Sequence, residues 1–127
     1  NDILATWRID TDNPLGFFDR ELVASVIANV ITNATRFAGH ALLISIEEEA
    51  NQLVICVNDD GPGYPQRMLE RQEEFIQGID SHSGSTGLGL YFAARIAALH
   101  ESDGVKGRIE ISNGGALGGG LFRLFLP

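Results

Sequence analysis

The stretch Asp19-Arg20-Glu21-Leu22-Val23-Ala24-Ser25-Val26-Ile27-Ala28-Asn29-Val30-Ile31-Thr32-Asn33-Ala34-Thr35-Arg36-Phe37-Ala38 sets the architecture of this chain. Leu22, Val23, Val26, Ile27, Val30, Ile31 and Ala34 recur at the spacing of one helical face, which predicts a helix from about Asp19 to Ala38. Asp19 is available as its N-cap and Gly39 as its stop. On a helical wheel these apolar residues fill roughly half the circumference. Asn29 and Asn33, spaced i and i+4, lie together at one border of that arc, with Arg36 a turn further along and close to the same line. A pair of carboxamides is thereby aimed at the seam between core and solvent.

Upstream of this helix, residues 3 to 9 have strand-like composition and Asp10 to Gly16 is rich in turn residues. Downstream, residues 42 to 47 and 53 to 58 are β-rich runs joined by Glu48-Glu49-Ala50-Asn51-Gln52, and they read as an antiparallel pair. Asp59-Asp60-Gly61-Pro62-Gly63 then breaks regular structure, and a short polar helix is expected around Gln66 to Glu74. A Ser/Gly-rich segment, 76 to 87, has the composition of a mobile loop. A second helix is predicted from near Leu88 through Leu90, Phe92, Ala93, Ile96, Ala97 and Leu99 to His100. Strands at 108 to 112 and 121 to 126 flank a glycine-heavy connection, Asn113 to Gly120. The order β, α, ββ, loop, α, ββ predicts one α+β two-layer sandwich over residues 1–127, with about three helices packed on one face of a mixed, mainly antiparallel sheet.

With 127 residues, 44% hydrophobic and 20% charged, the chain is the size and composition of one soluble globular domain. Its net charge of −8, from 17 acidic against 9 basic residues, leaves no broad cationic surface for a phosphate backbone, which argues against a nucleic-acid partner. A small anionic ligand remains possible if backbone N–H groups, a metal ion and a few cations are focused locally. The single cysteine, Cys56, sits in the apolar run Leu53 to Val57 and reads as a buried structural thiol. No run of apolar residues is long enough to span a bilayer, and the first residues lack the pattern of a signal peptide. The expected location is cytoplasmic, and a membrane anchor could lie outside this chain.

Three places carry chemistry. The carboxamide oxygens of Asn29 and Asn33 are hard ligands of the kind Mg²⁺ accepts, and equally they are two polar residues satisfying backbone groups. Asp59 leaves a strand just where Gly61 and Gly63 let the backbone approach a ligand closely, so its carboxylate could accept from an exocyclic amine such as adenine's; Asp-Gly and Pro-Gly are also ordinary turn punctuation. Gly84-Ser85-Thr86-Gly87-Leu88-Gly89-Leu90 feeds a helix with glycines that clear its first N–H groups, which makes either a phosphate cradle or a simple hinge.

The combination is more specific than any part. Asn29 to Phe37, Asp59-Asp60-Gly61-Pro62-Gly63, the lone Phe75 and Thr86-Gly87-Leu88-Gly89-Leu90 follow one another about 26, 12 and 11 residues apart. This resembles the N box, first glycine box, F box and second glycine box of the histidine-kinase branch of the GHKL ATPases, whose domain has the Bergerat ATP-binding fold. The likeness runs from about Asp19 to the end, where Gly118-Gly119-Gly120 before Phe122 to Pro127 is similar to the last glycine box and closing strand.

The resemblance implies ATP and Mg²⁺ as ligands, with Asn33 as the metal ligand and Asn29 as its supporting partner near the phosphates. It implies that Arg36 meets phosphate, that Phe37 lies beside the adenine, and that Asp59 accepts from the adenine amine. Gly61 and Gly63 would give the base room, and Thr86, Gly87, Leu88, Gly89 and Leu90 would line the triphosphate beneath a lid of about residues 76 to 87. Asn29, Asn33 and Arg36 would carry phosphoryl transfer.

In the hydrolytic branches the place of Asn29 resembles a glutamate that acts as general base on water, whereas an amide cannot accept a proton at neutral pH. The γ-phosphoryl group would then await a histidine on a separate dimerisation domain, with a response regulator downstream. Of His40, His82 and His100, only His100 is followed by an acid, Glu101, and Val105 stands where the family's proline would be. The phosphoacceptor is therefore expected outside this chain, and the domain alone is expected to be a monomer. His40 and His100 read instead as cations at helix C-termini. Two departures stand out: Ser85 replaces a frequent glycine, and residues 76 to 90 contain no Lys or Arg, which implies modest ATP affinity. An anti-sigma-type serine kinase shares these boxes, and a pseudokinase acting through protein contacts would keep them in part.

Overall fold

The structure, a computed structural model, describes residues 4–10, 19–37, 39–77 and 85–127; within these, the side chains of residues 4–10, 20, 33, 35–37 and 85–88 are not described. Strand β1 (Leu4–Asp10) precedes helix α1 (Arg20–Phe37), then come β2 (Ala41–Glu49), β3 (Gln52–Asp59), α2 (Gln66–Glu70), α3 (Gln72–Ile76) and α4 (Ser85–Ala98). A small hairpin of β4 (Glu101–Ser102) and β5 (Val105–Lys106) leads to β6 (Arg108–Asn113) and β7 (Gly120–Leu126). The main sheet has the order β1-β2-β3-β7-β6. β1 runs parallel to β2, with Leu4 opposite Ala41 and Asp10 opposite Glu47, while all other pairings are antiparallel. The mixed sheet with helices on one face is as expected.

Period-two alternation decides which side of the sheet meets the helices. Leu42 and Ile44 of β2, Leu53, Ile55 and Val57 of β3, Ile109 and Ile111 of β6, and Phe122, Leu124 and Leu126 of β7 form one buried cluster with Val23, Val26 and Ala34 of α1 and Leu90, Ala93 and Ala97 of α4. Met68 and Phe75 anchor α2 and α3 in the same core, Phe75 with no exposure at all. Val54, Cys56 and Phe125 make a separate cluster on the other face, where the Arg108 guanidinium lies 3.7 Å from the centre of the Phe125 ring. Cys56 is buried and unpaired as expected; burial first, then the charge of Glu47, pushes its thiol above the ordinary value.

Local chemistry explains most boundaries. Asp19 caps α1, its Oδ1 accepting the Leu22 N–H at 3.1 Å. The β2–β3 turn is tighter than the composition suggested: only Ala50 and Asn51 are outside the strands, both at positive φ (50° and 65°), so Glu48 and Glu49 pair with Leu53 and Gln52. The polar helix expected over 66 to 74 is two short ones, broken at Arg71. α4 begins at Ser85, three residues before the predicted Leu88. The β4–β5 hairpin was not anticipated, although Asp103 and Gly104, at φ 51° and 80°, are the Asp-Gly signal of such a turn. The segment expected to be a lid lies outside the described residues at 78–84.

Candidate nucleotide site

The end of β3 is where the sequence's elements meet. Asp59 and Asp60, adjacent in sequence, do different work there. The Asp60 carboxylate turns toward the end of α1 and accepts the N–H of Gly39 (2.7 Å) and of His40 (3.0 Å). Backbone N–H groups, that of His40 foremost and Ala41's next, hold this carboxyl below its ordinary value. Asp60 thus ties the segment that carries Asn33, Arg36 and Phe37 to the Asp-Gly turn, a role the sequence reading did not assign.

Asp59 turns the other way. Its Oδ1 accepts the N–H of Gly61 (2.9 Å) and of Gly120 (3.1 Å), and its carbonyl accepts the N–H of Gly119 (3.1 Å). Among the described residues, Oδ2 accepts no hydrogen bond. One carboxylate oxygen thus carries both of the hydrogen bonds that fix the side chain. The glycine triplet is explained by the same contact: a Cβ on Gly119 would sit 2.5 Å from the Asp59 carbonyl oxygen, and one on Gly120 would sit 2.9 Å from Asp59 Oδ2.

Two asparagines complete the turn. Buried Asn58 accepts the Ala116 N–H at 3.1 Å, which draws the β6–β7 connection over the end of β3. Asn113 accepts the Tyr64 N–H (2.7 Å) and donates to the Tyr64 carbonyl (2.9 Å), a clamp on the segment after Gly63. Gly63 stands at φ +85°, and a Cβ there would meet Asn113 Oδ1 at 2.5 Å, so this position demands glycine both for its backbone and for its neighbour. Neither Asn58, Asn113 nor Tyr64 was picked out by the sequence reading, since nothing local marks them.

Asn29 lies exposed on α1, at the border of the buried face as expected, and the helix packs on α4 and β3. The side chains of Asn33, Arg36 and Phe37 lie outside the described ones, as do those of Thr86 and Leu88. The early start of α4 changes the reading of the second glycine stretch. Ser85, Thr86, Gly87 and Leu88 form the first described turn of α4. Gly89 and Leu90 follow in the next turn, and Leu90 is buried in the core. Phe75, the aromatic between the two glycine stretches, is a core residue.

His100 departs from the reading of it as a cation at a helix end. Its Nε2 accepts the Asp19 N–H at 3.0 Å, which requires an unprotonated nitrogen, and its Nδ1 meets the Ile96 carbonyl at 3.0 Å. The ring links the end of α4 to the start of α1.

The site thus combines a mixed sheet backed by helices on one face, a strand ending on an aspartate held through one oxygen, and glycines packed against that aspartate. Residues 18–127 match the profile of the histidine kinase-, DNA gyrase B- and HSP90-like ATPases, and the chain belongs to that family. It is 31% identical over 84 residues to the sensor protein BasS of Salmonella typhimurium, covering 65% of this chain and 24% of that protein. It is 33% identical over 105 residues to the signal transduction histidine-protein kinase AfsQ2 of Streptomyces coelicolor, covering 80% of this chain and 18% of that protein. The chain thus spans a quarter or less of the length of these relatives. Its fold is that of the catalytic domain of the histidine kinase ThkA, with TM-score 0.77 and 23% identity over 98% of this chain and 80% of that one. No helix among the described residues is long and apolar enough to cross a membrane.

Proposed function

We propose that this chain is the ATP-binding catalytic domain of a two-component sensor histidine kinase. The Asp59 arrangement carries the reading: a carboxylate immobilised through Oδ1 presents Oδ2 at the end of a strand, the complement of an adenine amine. The sensor-kinase relatives favour this reading over a serine kinase. In the transfer, the bond from the γ-phosphorus to the β,γ-bridging oxygen breaks and a bond to an imidazole nitrogen forms, with ADP leaving. The acceptor histidine belongs to a dimerisation domain of the same protein, and the phosphoryl group passes on to a response regulator. The domain itself is monomeric and works on the cytoplasmic side of a membrane-anchored sensor.

The donor chemistry of α1 fits magnesium, because a neutral amide oxygen on an exposed helix edge is a hard ligand that leaves other positions for water and phosphate. Asn33 would hold the ion, and Asn29 would support it. Bound there, magnesium would neutralise charge on the phosphate oxygens. Arg36 would meet phosphate, Phe37 would lie beside the base, and Gly61 and Gly63 would leave it space. Thr86, Gly87, Leu88, Gly89 and Leu90 in the first turns of α4, with the clearance left by the two glycines, would line the triphosphate below a lid of about residues 76 to 87. Asn29 offers no base for water, so the γ-phosphoryl group is kept for histidine.

Calorimetric titration with Mg²⁺ and a nonhydrolysable ATP analogue tests binding. Saturable heat that Asn33→Ala abolishes and Asp59→Asn weakens roughly tenfold or more is the expected result, given the worth of a charged hydrogen bond. Heat indistinguishable from buffer would refute the reading. With a histidine-bearing helical hairpin supplied in trans, γ-labelled ATP should give an acid-labile, alkali-stable phosphoprotein.

A further inference from the structure

Tyr64 is held in place from both ends. Asn113 bonds its N–H and its carbonyl, at 2.7 and 2.9 Å, so a single carboxamide fixes the peptide groups on either side of the residue. The ring packs against the main core and also against Gly120, where an added Cβ would lie 3.2 Å from Tyr64 Cε2 and 2.9 Å from Asp59 Oδ2. One missing side chain therefore lets the phenol ring and the free oxygen of Asp59 crowd the same point. Among the described residues the Tyr64 hydroxyl makes no hydrogen bond, and neither does Asp59 Oδ2.

We propose that Tyr64 is a second reader of the nucleobase: its hydroxyl donates to the ring nitrogen flanking the exocyclic amine that Asp59 Oδ2 accepts. The proposal rests on the ATP-binding reading above. An aminopurine presents a donor, its amine, beside an acceptor, N1 on one side or N7 on the other. A carboxylate can answer only the donor. A neutral phenol next to it supplies the complement, and the pair together rejects a 6-oxopurine, which offers an oxygen acceptor where Asp59 also presents an acceptor. Burial, and after it the charge of Asp59, pushes the phenol above its ordinary value, so it stays protonated and able to donate at neutral pH.

The test is a titration of wild type, Tyr64→Phe and Asp59→Asn with Mg²⁺ and three nonhydrolysable ATP analogues: the parent, its 1-deaza form and its 7-deaza form. Tyr64→Phe keeps the ring and its packing and should weaken the parent roughly 3- to 10-fold, the net worth of one neutral hydrogen bond. One of the two deaza analogues should bind wild type and Tyr64→Phe equally, and wild type should bind that analogue weaker than the parent by the same factor. The wild-type comparison stands even if the variant folds poorly. Equal affinity of wild type and Tyr64→Phe for the parent, or a uniform loss across all three analogues, overturns the proposal. Wild-type binding that Asp59→Asn weakens and Tyr64→Phe leaves intact overturns this inference alone, whereas no wild-type binding overturns the ATP reading and this one together.

Discussion

Gly119→Ala puts a close backbone contact of the site under strain. A Cβ at this position would lie 2.5 Å from the Asp59 carbonyl oxygen, 2.6 Å from Asp59 Oδ1 and 2.7 Å from the Gly61 nitrogen, all closer than the 3.0 Å that real Cβ atoms respect. Two of these atoms are backbone, so no side-chain rotation relieves the clash. The β6–β7 connection must back away from the end of β3, which stretches the Gly119 N–H bond to Asp59 (3.1 Å) and the Gly61 and Gly120 bonds to Oδ1 (2.9 and 3.1 Å). Overpacking of this kind costs about 1–3 kcal/mol, which for a domain of this size is roughly 4–12 °C in Tm. Because the displaced group is the carboxylate proposed to read the base, affinity for the ATP analogue should fall at least about tenfold as well. Gly118→Ala is the control. Gly118 stands at φ +82° with nothing within 4 Å of an added Cβ, so it should lose about 1–2 kcal/mol from left-handed strain and keep its nucleotide affinity. Thermal melts and calorimetric titration of the two variants read both quantities. A Gly119→Ala protein with wild-type Tm and wild-type affinity would refute the packing argument, and so would a Gly118→Ala protein that loses binding as severely.

Gln72→Ala removes the side chain whose Oε1 accepts the Ile111 N–H (3.1 Å) and whose Nε2 donates to the Ile111 carbonyl (2.9 Å) on edge strand β6; exchange of the Ile111 amide should accelerate and stability fall by about 1–3 kcal/mol. Asp60, with its folded carboxyl value lowered, stabilises the fold fully above its unfolded value near 4 and loses that contribution as pH falls through the lower folded value. Asp60→Asn should therefore remove part of the acid-side fall in stability, seen as a flatter melting-temperature profile below about pH 4. The His100 ring should report an Nδ1–H tautomer by ¹⁵N shifts, and His100→Ala should loosen the start of α1 through loss of the Asp19 bond. Phe37→Ala should weaken nucleotide binding by about 0.5–1.5 kcal/mol through lost aromatic stacking, measured in the same titration.

What the sequence could say on its own was local. Helical spacing gave α1 with its Asp19 cap, β-rich runs gave β2, β3, β6 and β7, and the glycines after Asp59 marked the break at the end of β3. These signals are written in residues a few positions apart, where backbone sterics, capping and turn chemistry act. Tertiary structure alone decided the rest. That Asp59 would hold the β6–β7 connection while Asp60 held the end of α1 depends on partners 61 and 21 positions away. The Gln72 seal on β6 joins residues 39 apart, the Asn113 clamp on Tyr64 spans 49, and the His100 link to α1 spans 81. A carboxamide or imidazole in one dimension carries no mark of the backbone group it will satisfy. Only when the sheet order brings β7 between β3 and β6 do these polar groups come within reach of their backbone partners.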